Sequence, residues 1–431
     1  MRHGTIRQDR ISLALDGRQM GALVLAALVS VAGIGRGTKG ASAEGATMKL
    51  TDSTVVTSLR PVAPRAPIRV ARIEEVDPTT AGLDPLRLDD ALAAVRLEIE
   101  RGAFPGGALA VGRGSRLVLL QGMGTRSWGG ESVDATRTVY DLASLTKVVA
   151  TTTAVMLLVE DGRMELDAPV QRYLPEFSGG AKAIVTVRQL LTHTSGLPAW
   201  LDVDGLSRDA ALEKIVHAPL KSQPGEKVEY SDLGFVVLFE AAGRAAGESV
   251  PALLARRVFA PLGMHDTSFA PGDGCARCAP TLLKSDGTAY QGSVHDPIAR
   301  ALGGVAGNAG LFSTAADLSR FAAMLANGGE LDGVRILDEE TVRKFTTRQP
   351  GTGTRALGWD TPEADGTGAA GRRISPDAFG HTGFTGTSLW VDPERGTWTV
   401  LLTNRTYEPR ASNHIMALRR AVHDEVAESV E

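Results

Sequence analysis

The chain has only two cysteines among 431 residues, Cys275 and Cys278, and its eight histidines are scattered. That gives little support to haem or to a metal centre, which gathers about four such ligands in one place. The 46 basic residues are mixed along the chain with 50 acidic ones, for a net charge of −4. Without a basic stripe, nucleic acid is not an expected partner. No internal repeat is found, which removes repeat architectures. The first long apolar run, "MGALVLAALVSVAGIG" at 20–35, is short for a membrane span.

That run instead has the layout of an export signal. Arg7, Arg10 and Arg18 precede it, and "ASA" at 41–43 gives a small-x-small cleavage pattern. The expected segments are therefore a signal peptide at 1–43, a flexible linker at 44–80 rich in Thr, Ser, Pro and Ala, and one folded domain at 81–431. An uncleaved N-terminal anchor is the alternative. No twin arginine precedes the run and no cysteine follows it, so a lipid anchor is unsupported; Met1 and Met20 are alternative starts. Export places the chain in the periplasm, or outside the cell with the wall. There Cys275 and Cys278 are expected to form a local disulfide. A zinc site completed by His265, or by His295 with Asp296, and a pair of free thiols are the other readings.

Along the domain, "PLRLDDALAAVRLEIERG" (85–102) has helical spacing and stops at Gly102. "GGALAVGRGSRLVLLQGMG" (106–124) reads as two strands around a Gly-rich turn. Helix signals follow at 144–161, 187–193, 207–217, 231–247, 249–259 and 313–329. Residues 379–405 read as strands with a turn at 393–396, and 412–429 as a closing helix. Strands and a helix come first, helices fill the middle, and strands and a helix finish. The expected fold class is α+β: one antiparallel sheet flanked by helices, its halves far apart in sequence, with an all-helical lobe inserted between.

The chemistry starts at "DLASLTKVVATTTAVMLL", where Ser144 is followed three residues later by Lys147. The segment is apolar almost all round, so it belongs in a core. A buried ammonium must be paired or lose its proton. Residues i and i+3 share a helix face, so the lysine nitrogen can lie beside the serine hydroxyl. A lysine of depressed pKa can then take the hydroxyl proton and activate a nucleophile. Ser144 is the only serine with a lysine three residues on. The plain alternative is a capping serine and a lysine that snorkels to the surface.

Two more stretches carry polar groups beside apolar ones. Tyr230-Ser231-Asp232 precedes an apolar helix; a phenol near an ammonium can shuttle protons, whereas Ser231 and Asp232 can also simply cap the helix. His381-Thr382-Gly383 lies on an expected strand; Gly383 admits a substrate backbone, and the Phe384 N–H can donate to an oxyanion, or the stretch is a plain Gly-rich hairpin.

In this order and spacing, Ser-x-x-Lys, Tyr-Ser-Asp and His-Thr-Gly resemble the serine β-lactamase and penicillin-binding-protein superfamily, in its class C-like branch. "LLTHTSGLP" (190–198), "PGEKVEYSD" (224–232), "PLGMHDTSF" (261–269) and "GLFSTAADLSRF" (310–321) agree, and the likeness covers roughly 82–425. It implies Ser144 as the acylated nucleophile. Lys147 and Tyr230 would share the base and acid role, and the N–H groups of Ser144 and Phe384 would form the oxyanion hole. Asp232, His381, Thr382 and Gly383 would meet substrate. No metal or organic cofactor is implied.

Two departures bear on substrate. Asp232 stands where many relatives have asparagine, and His381 where many β-lactamases have lysine. A histidine is largely neutral at pH 7, so the fixed cation for a substrate carboxylate is missing from the third motif. Both changes argue against an efficient penicillinase. "G-x-VHD" and "LGGVAG-x-AGLFSTA" within 279–315 look like exported proteins related to N-acetylmuramoyl-L-alanine amidases; those relatives usually have histidine at the place of Asn308. His295 and Asp296 line the cleft or form a chain-fixing Asx turn. His193, at an apparent helix end, is read as structural.

The expected function is thus a serine hydrolase forming an acyl-enzyme on amides or esters, with cell-wall fragments as substrate. A D,D-carboxypeptidase, a weak β-lactamase or a short-chain esterase is the second reading. A muropeptide-binding protein without turnover is the third.

Overall fold

Two runs more than 250 residues apart supply the central sheet of the computed structural model, which describes residues 69–412 and 414–431. Its strands are β1 (Glu74–Glu75), β2 (Gly106–Arg113), β3 (Arg116–Gly124), β4 (Phe379–Thr382), β5 (Ser388–Asp392) and β6 (Thr397–Thr403). The order across the sheet is β1-β3-β2-β6-β5-β4. β2 and β6 join the halves over seven residue pairs, from Thr397 opposite Arg113 to Thr403 opposite Gly107.

β2 is buried on both faces, and its alternation decides which side chain enters which layer. Leu109 and Val111 face a core built with α1 (Pro85–Glu100) and the C-terminal helix. Ala108 and Ala110 face the larger core under residues 315–326. Gly112 is needed for this packing, because a Cβ there would fall 2.1 Å from the Trp398 ring.

The inserted lobe carries α2 (Thr153–Glu160), α3 (Asp232–Ala246) and α4 (Ala315–Ala326); α5 (Ile415–Glu428) closes the chain. Val155, Leu157, Phe235, Val237 and Leu238 are all completely buried in it. Ser231 caps α3 by accepting from the Gly234 N–H, as its sequence suggests.

Three expectations change. The sheet is antiparallel except at its edge, where β1 pairs parallel with β3. The lobe is not all helical: Tyr140–Asp141, Leu311–Ser313 and Ser268–Phe269 form a small sheet. Segments of two or three residues are too short to show an alternation in sequence. The fold also starts before residue 81, since β1 lies within the expected linker, a 3-10 turn at Pro78–Ala81 spans its end, and Ala71 is buried. The signal segment and the linker up to residue 68 lie outside the described residues.

Cys275 and Cys278 are joined as a disulfide, so the zinc and free-thiol readings fall. His265 and His295 take no part in such a site.

His423 sits inside α5's core face, its Nδ1 2.8 Å from the Ala369 carbonyl and its ring against Trp390. Burial lowers its pKa to about 4. The folded state therefore holds the ring neutral while the unfolded chain protonates near pH 6.5. Its stability contribution is present above about pH 6.5 and is lost as pH falls towards 4. We expect the melting temperature of His423→Gln to depend less on pH than that of the wild type across this window; calorimetry at a series of pH values checks it.

Candidate functional site

Ser144 does not open a regular α-helix. It sits in a 3-10 turn, Ala143–Leu145, followed by a π-helical turn at Lys147–Thr152 that runs into α2. Wide turns of this kind are frequent at functional sites. The preceding Ala143 has φ +47°, in the left-handed region that non-glycine residues rarely adopt. Such strain persists only when the surroundings hold it.

Here Asp141 is the holder. One carboxylate oxygen accepts the Ala143 N–H at 2.9 Å and the other accepts the His295 N–H at 2.7 Å. One buried side chain thus ties the nucleophile turn to the Val294-His295-Asp296 loop. Burial pushes the Asp141 carboxyl up to about 6, against the pull of those two N–H groups.

Lys147 is completely buried and donates three hydrogen bonds: to Ser144 Oγ at 3.0 Å, to Asp232 Oδ1 at 2.6 Å and to the Asn308 carbonyl at 3.1 Å. An ammonium has three donors and no acceptor, so every one is used. Burial acts to remove the proton, but the Asp232 carboxylate and then Tyr230 outweigh it, and the pKa is raised. This corrects the sequence expectation of a lysine with depressed pKa. The serine–lysine contact forms as the spacing required. The lysine, however, is held charged by a partner 85 residues away, and a charged lysine cannot take a proton from the hydroxyl.

Tyr230 lies beside the lysine. Its ring centroid lies 4.8 Å from Lys147 Nζ. His193 fixes it from behind: its Nδ1 accepts the Ser231 N–H at 3.0 Å, and the two rings stack at 4.5 Å. His193 is held neutral by burial and by the nearby Arg355 and Lys147 charges, which suits its acceptor role. The structural reading of this residue thus gains a definite task, the placement of Tyr230.

The third motif approaches from the sheet. Thr385 Oγ1 donates to the Asp141 carbonyl at 2.7 Å, and Thr387 Oγ1 donates to the Leu142 carbonyl at 3.0 Å. Gly383 packs so closely that a Cβ would lie 2.4 Å from the Leu142 oxygen. Arg419, buried on α5, clamps the turn by donating to the carbonyls of Gly383 and Thr387, both at 2.7 Å. Thr382 precedes the turn, and Phe384 projects from it, 61% exposed. His381 is buried, with Nδ1 2.8 Å from the Thr382 carbonyl. Burial, with the Arg355 and Lys147 charges, holds it neutral.

In the 295–308 region the chain-fixing reading is the one seen directly. Asp296 caps the short helix Pro297–Ala301, accepting the Ala299 N–H, and also accepts the Asn308 amide at 2.9 Å. Burial and the Asp232 charge raise its pKa. His295 stacks on Phe384, with ring centroids 5.4 Å apart. Burial and the charges of Arg300 and Arg405 lower its pKa to about 4.

The sequence-derived site residues therefore assemble, directly or through one intermediary. Asp141, Arg419 and the positioning role of His193 were not foreseen. An acidic residue three before the serine in an apolar run was an available signal for Asp141. Arg419 gave none, because its partners are backbone carbonyls distant in sequence.

A serine–lysine–carboxylate chain around a fully buried lysine, with a tyrosine beside it, between a helical lobe and a mainly antiparallel sheet, defines an active-site-serine hydrolase of the β-lactamase and transpeptidase fold. The comparisons agree. The family described as Beta-lactamase matches residues 90–423. A protein of Salmonella agona, named provisionally as a D-alanyl-D-alanine carboxypeptidase, is 31% identical over 374 residues, spanning 78% of this chain and 86% of its own. A penicillin-binding-protein homologue from Caulobacter crescentus superposes with a TM-score of 0.65 at 22% identity, covering 80% of this chain and 99% of its own. EstCE1, a hydrolase with promiscuous acyltransferase activity, superposes with a TM-score of 0.63 at 22% identity, covering 78% and 99%. The chain belongs to the β-lactamase family of serine hydrolases.

Removing one partner of a buried ion pair leaves the other uncompensated, at a cost of about 3–5 kcal/mol. We expect Asp232→Ala to lower unfolding stability by that amount, and Lys147→Met combined with Asp232→Leu to recover most of it. Urea unfolding midpoints of the three proteins check the pairing.

Proposed function

We propose that this protein is an exported hydrolase that cleaves amide bonds in peptidoglycan fragments through an acyl-enzyme on Ser144, with the lactyl–alanine amide of N-acetylmuramoyl-L-alanine as its first target. The observation that carries the chemistry is the Lys147 ammonium with all three protons committed, one of them to Ser144 Oγ. With lysine held charged, Tyr230 oxygen takes the Ser144 proton as Oγ attacks the carbonyl carbon. Lys147 Nζ lies 4.8 Å from the Tyr230 ring centroid, so its positive charge is next to the group that takes the proton. The backbone N–H groups of Ser144 and Phe384 donate to the carbonyl oxygen as it becomes anionic. Tyr230 then gives the proton to the leaving nitrogen, the C–N bond breaks, and the acyl group stays on Ser144. Water, deprotonated by the Tyr230 oxygen, attacks the acyl-enzyme ester, and Tyr230 returns that proton to Ser144 Oγ as the ester C–O bond breaks and the acid leaves.

Gly383 lets the third-motif turn pack against Leu142 and Thr387 just before Ser144, and Thr382 and His381 lead into it along the sheet edge. His295, stacked on Phe384 of that same turn, and the Asp296–Asn308 pair are the further candidate substrate contacts, and the wall-fragment assignment rests on the motifs around them. Neutral His381 supplies no fixed charge for a β-lactam carboxylate, which disfavours penicillinase activity. The Cys275–Cys278 disulfide and the signal-like residues 1–43 support a site of action outside the cytoplasm. A D,D-carboxypeptidase is the second reading, favoured by the name that the Salmonella relative carries.

Soluble muropeptides incubated with residues 44–431 and followed by mass spectrometry distinguish these. Release of free N-acetylmuramic acid supports the amidase, and loss of a single terminal alanine the carboxypeptidase. Ser144→Ala is expected to lose at least about a thousandfold in kcat; unchanged turnover would sink the reading. Tyr230→Phe is expected to lose about 10²–10⁴-fold in kcat at little change in KM; steady-state kinetics checks it.

A further inference from the structure

Cys275 and Cys278 stand outside the catalytic cluster, yet the loop they close touches both chain segments that lead into it. Only Ala276 and Arg277 lie between them, so the disulfide closes a small ring. The Arg277 carbonyl, inside that ring, accepts the Val139 N–H at 3.1 Å, and the Ala279 N–H donates to the Val139 carbonyl at 2.8 Å. Val139 is two residues before Asp141 and five before Ser144.

On its other side the loop holds the approach to His295. The Gly272 N–H donates to the Gly292 carbonyl at 3.1 Å, and Gln291 Nε2 donates to the Cys275 carbonyl at 3.4 Å. Gly292 packs so closely that a Cβ there would fall 2.8 Å from the Cys275 Cβ. Three residues later comes His295, whose N–H is held by the same Asp141 carboxylate that holds Ala143. The loop thus fastens, from outside, the two segments that Asp141 joins at the site. Residues 271–274 and 276 are exposed, so packing contributes little to holding this stretch. The covalent link pins it instead to Cys278, which is completely buried in the main core.

We propose that the Cys275–Cys278 disulfide is a redox-sensitive latch on the active site, and that the enzyme is fully active only when the pair is oxidised. Both cysteines are positioning residues. They act on Ser144 through Val139, and on the His295 loop through Gly292. Cys275 is partly exposed, so a small dithiol can reach it. One thiolate of the dithiol attacks Cys275 Sγ, and Cys278 Sγ leaves as a thiolate and takes up a proton. The second thiolate of the dithiol then attacks the mixed disulfide and releases Cys275, which also takes up a proton. The protein pair gains two electrons and two protons in all, and the dithiol departs as a cyclic disulfide. Reduction unpins the exposed stretch from Cys278, loosens its hold on Val139 and Gly292, and lets the strained Ala143–Ser144 turn relax. The inference rests on Ser144 as the nucleophile and is independent of the substrate.

The test follows acylation of Ser144 by a fluorophosphonate in three samples: the oxidised protein, the protein reduced with dithiothreitol, and Cys275→Ser/Cys278→Ser. Thiol titration counts the reduced cysteines, and near-UV circular dichroism reports the fold. The reduced protein and the double variant are expected to stay folded and to be acylated about tenfold more slowly or worse, because small misplacements of reacting groups are costly. The loss should fall on the rate at saturating probe, with probe affinity little changed. Re-oxidation should restore the wild-type rate, and dithiothreitol should leave the double variant unchanged. A folded protein with both thiols titrated and a full acylation rate would overturn the latch. So would a pair that dithiothreitol leaves oxidised, a loss of rate that only tracks unfolding, or a double variant slowed further by the reductant. Failure of the serine reading looks different: an oxidised protein that takes no label, or a label that persists in Ser144→Ala, sinks that reading and this inference together.

Discussion

The site depends on one buried ion pair. Lys147 has no exposed surface, and Asp232, 85 residues later, is the carboxylate that keeps it charged in that setting. A single contact of this kind dictates much else. The lysine's remaining protons go to Ser144 Oγ and the Asn308 carbonyl, so the nucleophile and the 302–315 loop are fixed to the same nitrogen. An ammonium has no free electron pair, so in the proposed mechanism the proton chemistry falls to Tyr230. The pair is costly to assemble, and the apolar packing of the lobe around Phe235 and the Val148–Leu158 run buries its lysine completely while the Asp232 side chain keeps 22% of its surface exposed.

Around that pair the scaffold works by hydrogen bonds to backbone carbonyls and N–H groups. Asp141 holds the strained Ala143 and the His295 loop, and Arg419 reaches across from α5 to clamp the Gly383 turn. Thr385 and Thr387 stitch that turn to the chain just before Ser144. The turn before Ser144 and the third-motif turn are therefore tied to each other by hydrogen bonds.

Charge in the cleft is carried by few groups. His193, His295 and His381 are all held neutral by burial. Asp141 pulls the opposite way: burial raises its carboxyl, so the stability it contributes is present at acid pH and declines as pH rises towards 6. The two effects overlap between pH 4 and 6. The acid response of the whole protein is a balance of neutral histidines against a reluctant carboxylate.

Much was legible in the residues alone. Alternation in 106–124 and 379–405 and the helical spacing of 85–102 and 412–429 specified the sheet and its flanking helices, because each segment is long enough to show its period. Ser144 and Lys147 were legible because a lone lysine in an apolar run demands a partner, and three residues is one helix face. Tyr230, Asp232 and the His381–Gly383 strand were recognisable by their resemblance. Tertiary structure decided what depends on distance in space. It showed that Asp232 raises the lysine's pKa, where spacing alone had suggested a lowered one. It gave His193 to Tyr230, Asp141 to the nucleophile turn, and Arg419 to the third motif. None of these pairings has a fixed sequence offset, and most end on backbone atoms that every residue carries, so only the folded chain could select them.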